Sequence, residues 1–269
     1  MFSKLKKRIL MFRETPMVEL VDTKAVQPSI LQNIPPVVYQ TWEVNYFGKT
    51  HYAEIQKFRA LNPDLSFEMF AKEKLDAYME EVWGRHPIYG IFTKSNFGPM
   101  LADIFRYCIL HERGGFYFDI SKGCSAPISS LCTPGSMGLI SYEEHDCVVI
   151  PNPKAIERMK HPEKYVLQWG MGFAKEHPIL TRMIENICEY YPYFKGKEFS
   201  VPKNAILSLT GPGMFTKSIR EVMDENPNLG VDQAGIDFNG AGIYDLKGSW
   251  VRYSVKSAYA KSRSKIIVD

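Results

Sequence analysis

The sequence predicts an α/β fold with a mixed, mostly parallel sheet flanked by helices. Three observations lead there. Short β-rich runs alternate with stretches of helical composition, the pattern of strands feeding crossover helices. One helical stretch carries apolar residues at i, i+3, i+4, i+7 and i+8 and is followed at once by a glycine pair and an aromatic run. The chain has 269 residues, 45% of them hydrophobic and 23% charged, which is enough to bury one large core and excludes wholesale disorder or collagen-like architecture.

Taken in order, residues 1–30 open with Lys4, Lys6, Lys7 and Arg8 and read as a basic N-terminal extension. A single domain is placed at 31–250 and a basic tail at 251–269. Ile34 to Thr41 reads as the first strand, because Pro35 and Pro36 suit only a strand's start or a sheet edge. The turn Asn62-Pro63-Asp64 leads into a second strand, Leu65 to Phe70, and Lys72 to Val82 has helical composition. A helix is expected from Pro99, which suits a first turn, to Arg113, with Leu101, Ile104, Phe105, Cys108 and Ile109 as its core stripe. Gly114 can take the left-handed conformation that closes it. A strand from Phe116 to Ile120 follows, then strands at Gly138 to Ser141 and Cys147 to Ile150, and helices at Ile179 to Tyr190 and Met214 to Met223.

Charge narrows the function classes. With 33 Lys+Arg against 30 Asp+Glu, the net of +3 is too evenly spread for a nucleic-acid partner. Five cysteines, Cys108, Cys124, Cys132, Cys147 and Cys188, lie at wide spacings without a CxxC pair, which argues against structural zinc and for a reducing compartment. No run approaches the roughly 20 apolar residues of a membrane span, and Arg13 and Glu14 interrupt the short run Ile9 to Phe12. The expectation is a cytoplasmic protein with peripheral contact to the inner face of a membrane. Its basic termini, the second with Arg252, Lys256, Lys261, Arg263 and Lys265, would attract an anionic leaflet at about 1 kcal/mol per residue; a disordered tail is the alternative.

The chemistry concentrates between residues 102 and 121. Strand alternation sets Phe116, Phe118 and Ile120 on one face, read as core, and Tyr117, Asp119 and Ser121 on the other, read as polar. A carboxylate where a strand leaves the sheet is where open α/β sheets bind ligands, and Mn²⁺ or Mg²⁺ is held by one or two carboxylates plus substrate phosphates. Asp119 suits that task; an Asp there also suits a plain turn. On the preceding helix Asp103, Arg106 and Tyr107 are spaced i, i+3, i+4 on the face opposite the stripe. The Arg fork fits phosphate or paired hydroxyls and the Asp can accept two sugar hydroxyls, the alternative being an exposed ion pair. Glu143, Glu144 and Asp146 follow a strand and read either as acceptor-orienting carboxylates or as a solvated acidic loop. The six histidines are scattered.

Read together, ADIFRYCILHERGGFYFDIS at 102–121 resembles the DxD sugar-nucleotide-binding region of the family 32 glycosyltransferases, whose pattern is roughly AD-x-x-RY-x-x-L-x-x-x-GG-x-Y-x-D-x-D. Other fragments fall in that family's order. Ile34-Pro35 to Gln40-Thr41-Trp42 resembles its opening strand, Asn62-Pro63 to Phe70 its next, and Phe173 to Leu180 a later segment. Thr210-Gly211-Pro212 matches its "TGP" turn and Gly248-Ser249-Trp250 its closing "GSW". The resemblance covers about residues 33 to 250.

It implies a GT-A-type fold and a retaining hexosyltransferase that takes a nucleotide-diphosphate sugar, a UDP-sugar before a GDP-sugar, with Mn²⁺ or Mg²⁺. The acceptor would be a glycan, a lipid-linked glycan or a protein. Carried over by position, Asp119 contacts ribose and metal, and Asp103 with Arg106, beside Tyr107, grips the donor sugar and its phosphate side. Gln40, Thr41 and Trp42 line the base pocket. Ser249 and Trp250 close over the diphosphate, Trp250 reading equally as a core aromatic, and Asp119, Ser121 and Ser249 make up the metal set. Ser121 stands where the family has its second carboxylate, and the stretch Tyr244-Asp245-Leu246-Lys247 lacks the family's histidine. Asp245 could replace the lost oxygen, or Lys122 and Lys247 part of the metal's charge. A non-catalytic binding or scaffold protein with a degenerate site is the alternative function.

Overall fold

The computed structural model describes residues 14–148, 153–226, 228–250 and 264–268. Lys4, Lys6, Lys7 and Arg8, and Arg252, Lys256, Lys261 and Arg263, lie outside the described residues, as does Ile150. No helix among the described residues is long and apolar enough to cross a membrane. The chain runs β1 (Val18–Glu19), β2 (Val37–Thr41), β3 (Tyr46–Phe47), α1 (Lys49–Ala60), β4 (Ser66–Phe70), α2 (Lys72–Trp83), α3 (Pro87–Thr93) and α4 (Gly98–Arg113) into β5 (Gly115–Phe118) and β6 (Gly123–Cys124). It continues through β7 (Gly138–Asp146), α5 (Pro153–Arg158), β8 (Lys164–Val166), β9 (Gly170–Phe173), α6 (Pro178–Tyr190), β10 (Glu198–Phe199), α7 (Pro202–Leu209) and α8 (Pro212–Glu225) to β11 (Val231–Ile236), β12 (Gly242–Ile243) and β13 (Ser264–Lys265).

The main sheet has the order β11-β7-β9-β5-β2-β4, with β8 on the far half of β7. The pairs β11 with β7, β5 with β2 and β2 with β4 are parallel, while β9 and β8 run against the rest. Five strands therefore deliver their carboxyl ends to one edge, the edge at which such sheets bind ligands. Alternation sends side chains to two apolar clusters: Val38, Phe116, Phe118 and Leu139 join one and Tyr39, Tyr117 and Ile140 the other. Helices cover both faces, so the face read as polar is also core, with Tyr117 1% exposed. Asp103, Arg106 and Tyr107 are likewise buried rather than solvent-facing, because α4 lies between α6 and the sheet.

Several boundaries differ from the sequence reading. The central strand ends at Phe118, not Ile120, because Lys122 N–H donates to the Asp119 carbonyl and turns the chain; Ser121 lies in that turn and not on the strand face of Asp119. The strand begun at Gly138 runs unbroken to Asp146, and Cys147 and Val148 lie beyond it. Residues 14–30, expected outside the core, strap across it. β1 pairs with β3, Thr23 bridges Phe67 on the edge strand β4, and Leu20 is buried beside Phe47, Ile55 and Met69. Residues 264–268 also return from the expected tail: β13 pairs with β10, Ile267 bridges Ser95, and Ile266 and Ile267 are fully buried. Apolar burial at these two isoleucines outweighs the basic composition around them.

Candidate active site

Asp119 leaves the carboxyl end of β5 between two neighbours that fix it. Its N–H donates to the Trp169 carbonyl at 2.8 Å, just before β9, and the parallel register of Tyr39 with Tyr117 sets Thr41 level with it on β2. Its side chain is 31% exposed, the outermost of a buried set. Arg106 Nη2 lies 3.1 Å from Asp119 Oδ1, and the Tyr117 hydroxyl donates to the same oxygen at 2.9 Å. Both bonds go to Oδ1, and among the described residues Oδ2 is left for a ligand.

Arg106 is held on every side. Nη2 also reaches Asp103 Oδ1 at 3.2 Å, Nη1 donates to the Gln168 carbonyl at 2.9 Å, Nε to Ala102, and the guanidinium lies 4.5 Å from the centre of the Tyr117 ring. Asp103 Oδ2 accepts from the Thr210 hydroxyl at 2.9 Å. Tyr107 donates to the Thr210 carbonyl and Gln168 Nε2 to the Tyr107 hydroxyl, which closes the network. Burial pushes the Asp103 carboxyl up to about 7, with Arg106 and the Thr210 hydroxyl pulling against it. Burial works against the charge of Arg106, but Asp119, Tyr117 and Asp103 together more than offset it and its pKa is raised. The Arg106 cation is thus permanent, and the buried Arg106–Asp103 pair is neutral or carries one net positive charge according to pH.

The turn after Asp119 is clamped from two sides. His51 on α1 is 2% exposed and its Nε2 bonds the Ile120 carbonyl at 2.9 Å. Opposite, Leu246 N–H donates to the Ser121 carbonyl at 2.8 Å and β12 pairs with β6. Gly248, at φ +79°, lies so near α1 that a Cβ would stand 2.7 Å from the His51 nitrogen, so this segment folds onto the helix only with glycine there. Ser121 and Ser249 are both buried, Trp250 is half-buried, and Asp245 and Lys247 are exposed. Lys122 hydrogen-bonds the Tyr244 carbonyl. Of the residues assigned to a base pocket, Gln40 is fully buried with no partner for Nε2 among the described residues, and the Thr41 hydroxyl is spent on the Phe70 carbonyl. Trp42 is half-buried in the cluster of Ile120 and Leu246, beside the clamped turn.

The sequence reading brought Asp103, Arg106, Tyr107 and Asp119 together and set the closing segment near Ser121. It missed Gln168 and His51, whose partners lie 61 and 69 residues away in the chain. For a metal, Asp119 is the one carboxylate within the turn residues 119–122, and no group of three His, Cys, Asp or Glu side chains converges among the described residues. Such a donor set fits a hard cation only when phosphate oxygens complete it, with the hydroxyls of Ser121 and Ser249 as neutral partners.

Residues 48–137 match the family described as "Glycosyltransferase sugar-binding region containing DXD motif". The chain is 27% identical over 209 residues to an initiation-specific alpha-1,6-mannosyltransferase of Candida albicans, covering 71% of this chain and 53% of that protein. It is 25% identical over 177 residues to inositol phosphoceramide mannosyltransferase 1 of Schizosaccharomyces pombe, covering 64% and 48%. It is also 25% identical over 182 residues to the mannosyl phosphorylinositol ceramide synthase CSH1 of Saccharomyces cerevisiae, covering 67% and 41%. The chain spans about half the length of these curated relatives. Among solved structures it resembles the PaToxG glycosyltransferase, with a TM-score of 0.50 over 83% of this chain and 77% of that one; at 14% identity the likeness concerns the fold alone. The matched region contains the Asp103, Arg106, Asp119 constellation, and over these residues the chain is similar to the glycosyltransferase family that carries the DXD sugar-binding region.

Proposed function

We propose that this chain transfers a hexose from a nucleotide-diphosphate sugar to a hydroxyl of a glycan or lipid-linked acceptor, with retention at the anomeric carbon. The observation that carries the reading is the Arg106 network, which fixes Asp119 through one oxygen at the carboxyl edge of the sheet, next to a closing segment whose Leu246 N–H holds the Ser121 carbonyl. Fixed donors and charges of this kind stabilise charge that develops on a leaving group without reorganising during the reaction. Here that charge appears on the nucleotide diphosphate as the bond to the sugar breaks. Mn²⁺ or Mg²⁺, held by Asp119 with Ser121, Ser249 and the diphosphate, would act as a Lewis acid on it. Lys122 adds a fixed positive charge beside the turn, and the half-buried Trp42 offers an aromatic face to a base.

Two of the three relatives are named mannosyltransferases and the third a mannosyl phosphorylinositol ceramide synthase, so mannose is the first sugar to test; the sequence reading favours UDP over GDP as carrier. Purified protein with Mn²⁺ is offered GDP-mannose, UDP-glucose, UDP-galactose and UDP-N-acetylglucosamine, and nucleotide release is followed in the unmodified protein and in Asp119→Ala. Release from at least one donor, lost in the variant, is expected. No release from any donor and no thermal shift by GDP or UDP removes the enzyme reading. A shift without release favours the second reading, a nucleotide-binding or scaffold protein, for which the replacement of the family's second carboxylate by Ser121 is the motive.

A further inference from the structure

Beside the Asp119 turn lies a ledge that, apart from Lys122 at its border, the donor reading leaves unused. Trp169, whose carbonyl accepts the Asp119 N–H, packs edge-on to the Tyr244 ring at 5.3 Å and rests on Phe118 and Phe238. Lys122 Nζ lies 5.4 Å from the Tyr244 ring centre and 6.0 Å from that of Trp169. Asp237 shares a hydrogen bond with the Tyr244 side chain, and Glu143 and Glu144 stand close enough to act on its charge. All of these sit at the carboxyl edge, where β5, β7 and β11 end.

The ledge is built. Asp237, Phe238 and Asn239 hold φ of 48°, 53° and 56°, a left-handed turn that L-residues rarely adopt. The buried Ser141 hydroxyl pins it, donating to the Gly235 carbonyl and accepting from Phe238 N–H. Gly242 makes room for the carboxylate: a Cβ there would stand 1.9 Å from Asp237 Oδ1. Two polar atoms of the ledge are unsatisfied. Trp169 is only 7% exposed and its Nε1 has no partner among the described residues, and neither has Asp237 Oδ1. Buried donors and acceptors of this kind are rare in a folded protein and call for a reason.

We propose that this ledge is the acceptor subsite and takes a neutral, hydroxyl-rich sugar; the assignment to an acceptor rests on the transferase reading. An exposed aromatic ring such as Tyr244, 39% exposed, packs on the apolar face of a pyranose, while carboxylates and an indole N–H pair with its hydroxyls. Charge sets the class. Glu143, Glu144 and Asp237 stand against two lysines that are both already engaged, Lys122 by the Tyr244 carbonyl and Lys164 by Asp146 and the Glu144 carbonyl, with His145 beside Glu143, so a phosphorylated acceptor meets net repulsion while a neutral glycan does not. Burial raises Glu143 and Asp237 above the usual carboxylate range, in keeping with their crowding.

The test uses methyl α-mannoside, methyl β-glucoside and mannose 6-phosphate as probes, with GDP or UDP present, and reads transfer of magnetic saturation from protein aromatic protons to each. Signal is expected for a neutral glycoside and none for the phosphate. Tyr244→Ala and Gly242→Ala should reduce the glycoside signal at least threefold, with melting temperature checked for each, and the double variant Glu143→Gln with Asp237→Asn should admit the 6-phosphate. Equal signal from mannose 6-phosphate in the unmodified protein, no signal from either glycoside, or a glycoside signal untouched by both Tyr244→Ala and Gly242→Ala overturns the proposal. Nucleotide signals in the same samples report on the donor reading separately: their absence, with the glycoside signal intact and sensitive to Tyr244, overturns the transferase reading while leaving a sugar site.

Discussion

Two sides of one turn are built on different principles. Behind Asp119, Arg106, Asp103, Thr210, Tyr107, Gln168 and Tyr117 form a closed set in which the guanidinium serves four oxygen partners and almost nothing reaches water. In front, His51 holds the Ile120 carbonyl and Leu246 N–H the Ser121 carbonyl, while the Lys122 ammonium reaches the Tyr244 carbonyl, and around the buried Ser121 the side chains of Lys122, Tyr244 and Asp245 are half-exposed or exposed. The rear is expensive to disturb because charges buried together depend on each other. At Ile120 and Ser121 the front can change side chains while keeping its path, since the hold there is on the backbone carbonyls. That contrast explains how the family's second carboxylate can be a serine here while the rest of the constellation is intact.

The largest effect is expected at Arg106. Arg106→Ala strands Asp103 and removes four bonds, so unfolding in urea should show a loss of about 3–5 kcal/mol. Arg106→Lys should recover little, since one ammonium cannot reproduce a planar fork to Ala102, Gln168, Asp103 and Asp119. If Arg106→Lys were as stable as the unmodified protein, the rear would not be the rigid half. Next comes Asp119→Ala. Its carboxylate is the most exposed of the set, and Arg106 keeps Asp103, so stability should move little while nucleotide release falls about 10²–10³-fold.

A smaller effect separates the halves by pH. The Asp103 carboxyl is raised by burial from its ordinary 3.8 to about 7 in the folded protein. Because the folded state holds that proton more tightly than the unfolded chain, the contribution is fully present below about 4 and is lost as pH rises through about 7. Each pH unit between the two values corresponds to about 1.4 kcal/mol. Asp103→Asn has no such proton to lose. Its stability relative to the unmodified protein should therefore improve between pH 4.5 and 7.5, read from paired urea titrations. A flat difference would show that Arg106 and Thr210 keep Asp103 ionised throughout.

How legible this was in the sequence follows the same divide. The strand that ends beside Asp119, the helix that carries Asp103 and Arg106, and the glycine pair between them are local patterns, and 102–121 displays them within one turn of chain. Alternation correctly paired Tyr117 with Asp119, since that hydroxyl does bond that carboxylate. What escaped was decided elsewhere in the chain. Gln168 sits between two short strands with no periodicity to mark it, and His51 reads as one of six scattered histidines until α1 brings it under Ile120. Thr210 was visible only as part of a turn motif; its hydroxyl matters because α7 ends against Asp103. At the termini composition misled: polar and basic surroundings hid Leu20, Ile266 and Ile267, apolar side chains whose burial ties 14–30 and 264–268 to the core.

The smallest expected effect lies at the front, at Ser121. A hydroxyl can coordinate a hard cation but brings no charge, and within residues 119–122 Asp119 is the one carboxylate. Ser121→Asp would add a second anionic oxygen two residues on, with the backbone still held by Leu246. Because Ser121 is 2% exposed, the new carboxylate also loses hydration, and some stability should be lost without a cation and regained with it. In a metal-dependent transferase the Mn²⁺ concentration for half-maximal nucleotide release should fall about tenfold, roughly 1.4 kcal/mol. Were Lys122 instead standing in for the cation, the added charge would oppose the diphosphate and raise the donor KM, and the unmodified protein would keep its activity in excess EDTA. A tenfold gain in Mn²⁺ sensitivity with an unchanged melting temperature in EDTA would mean that the turn had moved to expose residue 121, and that the front is looser than its backbone bonds imply.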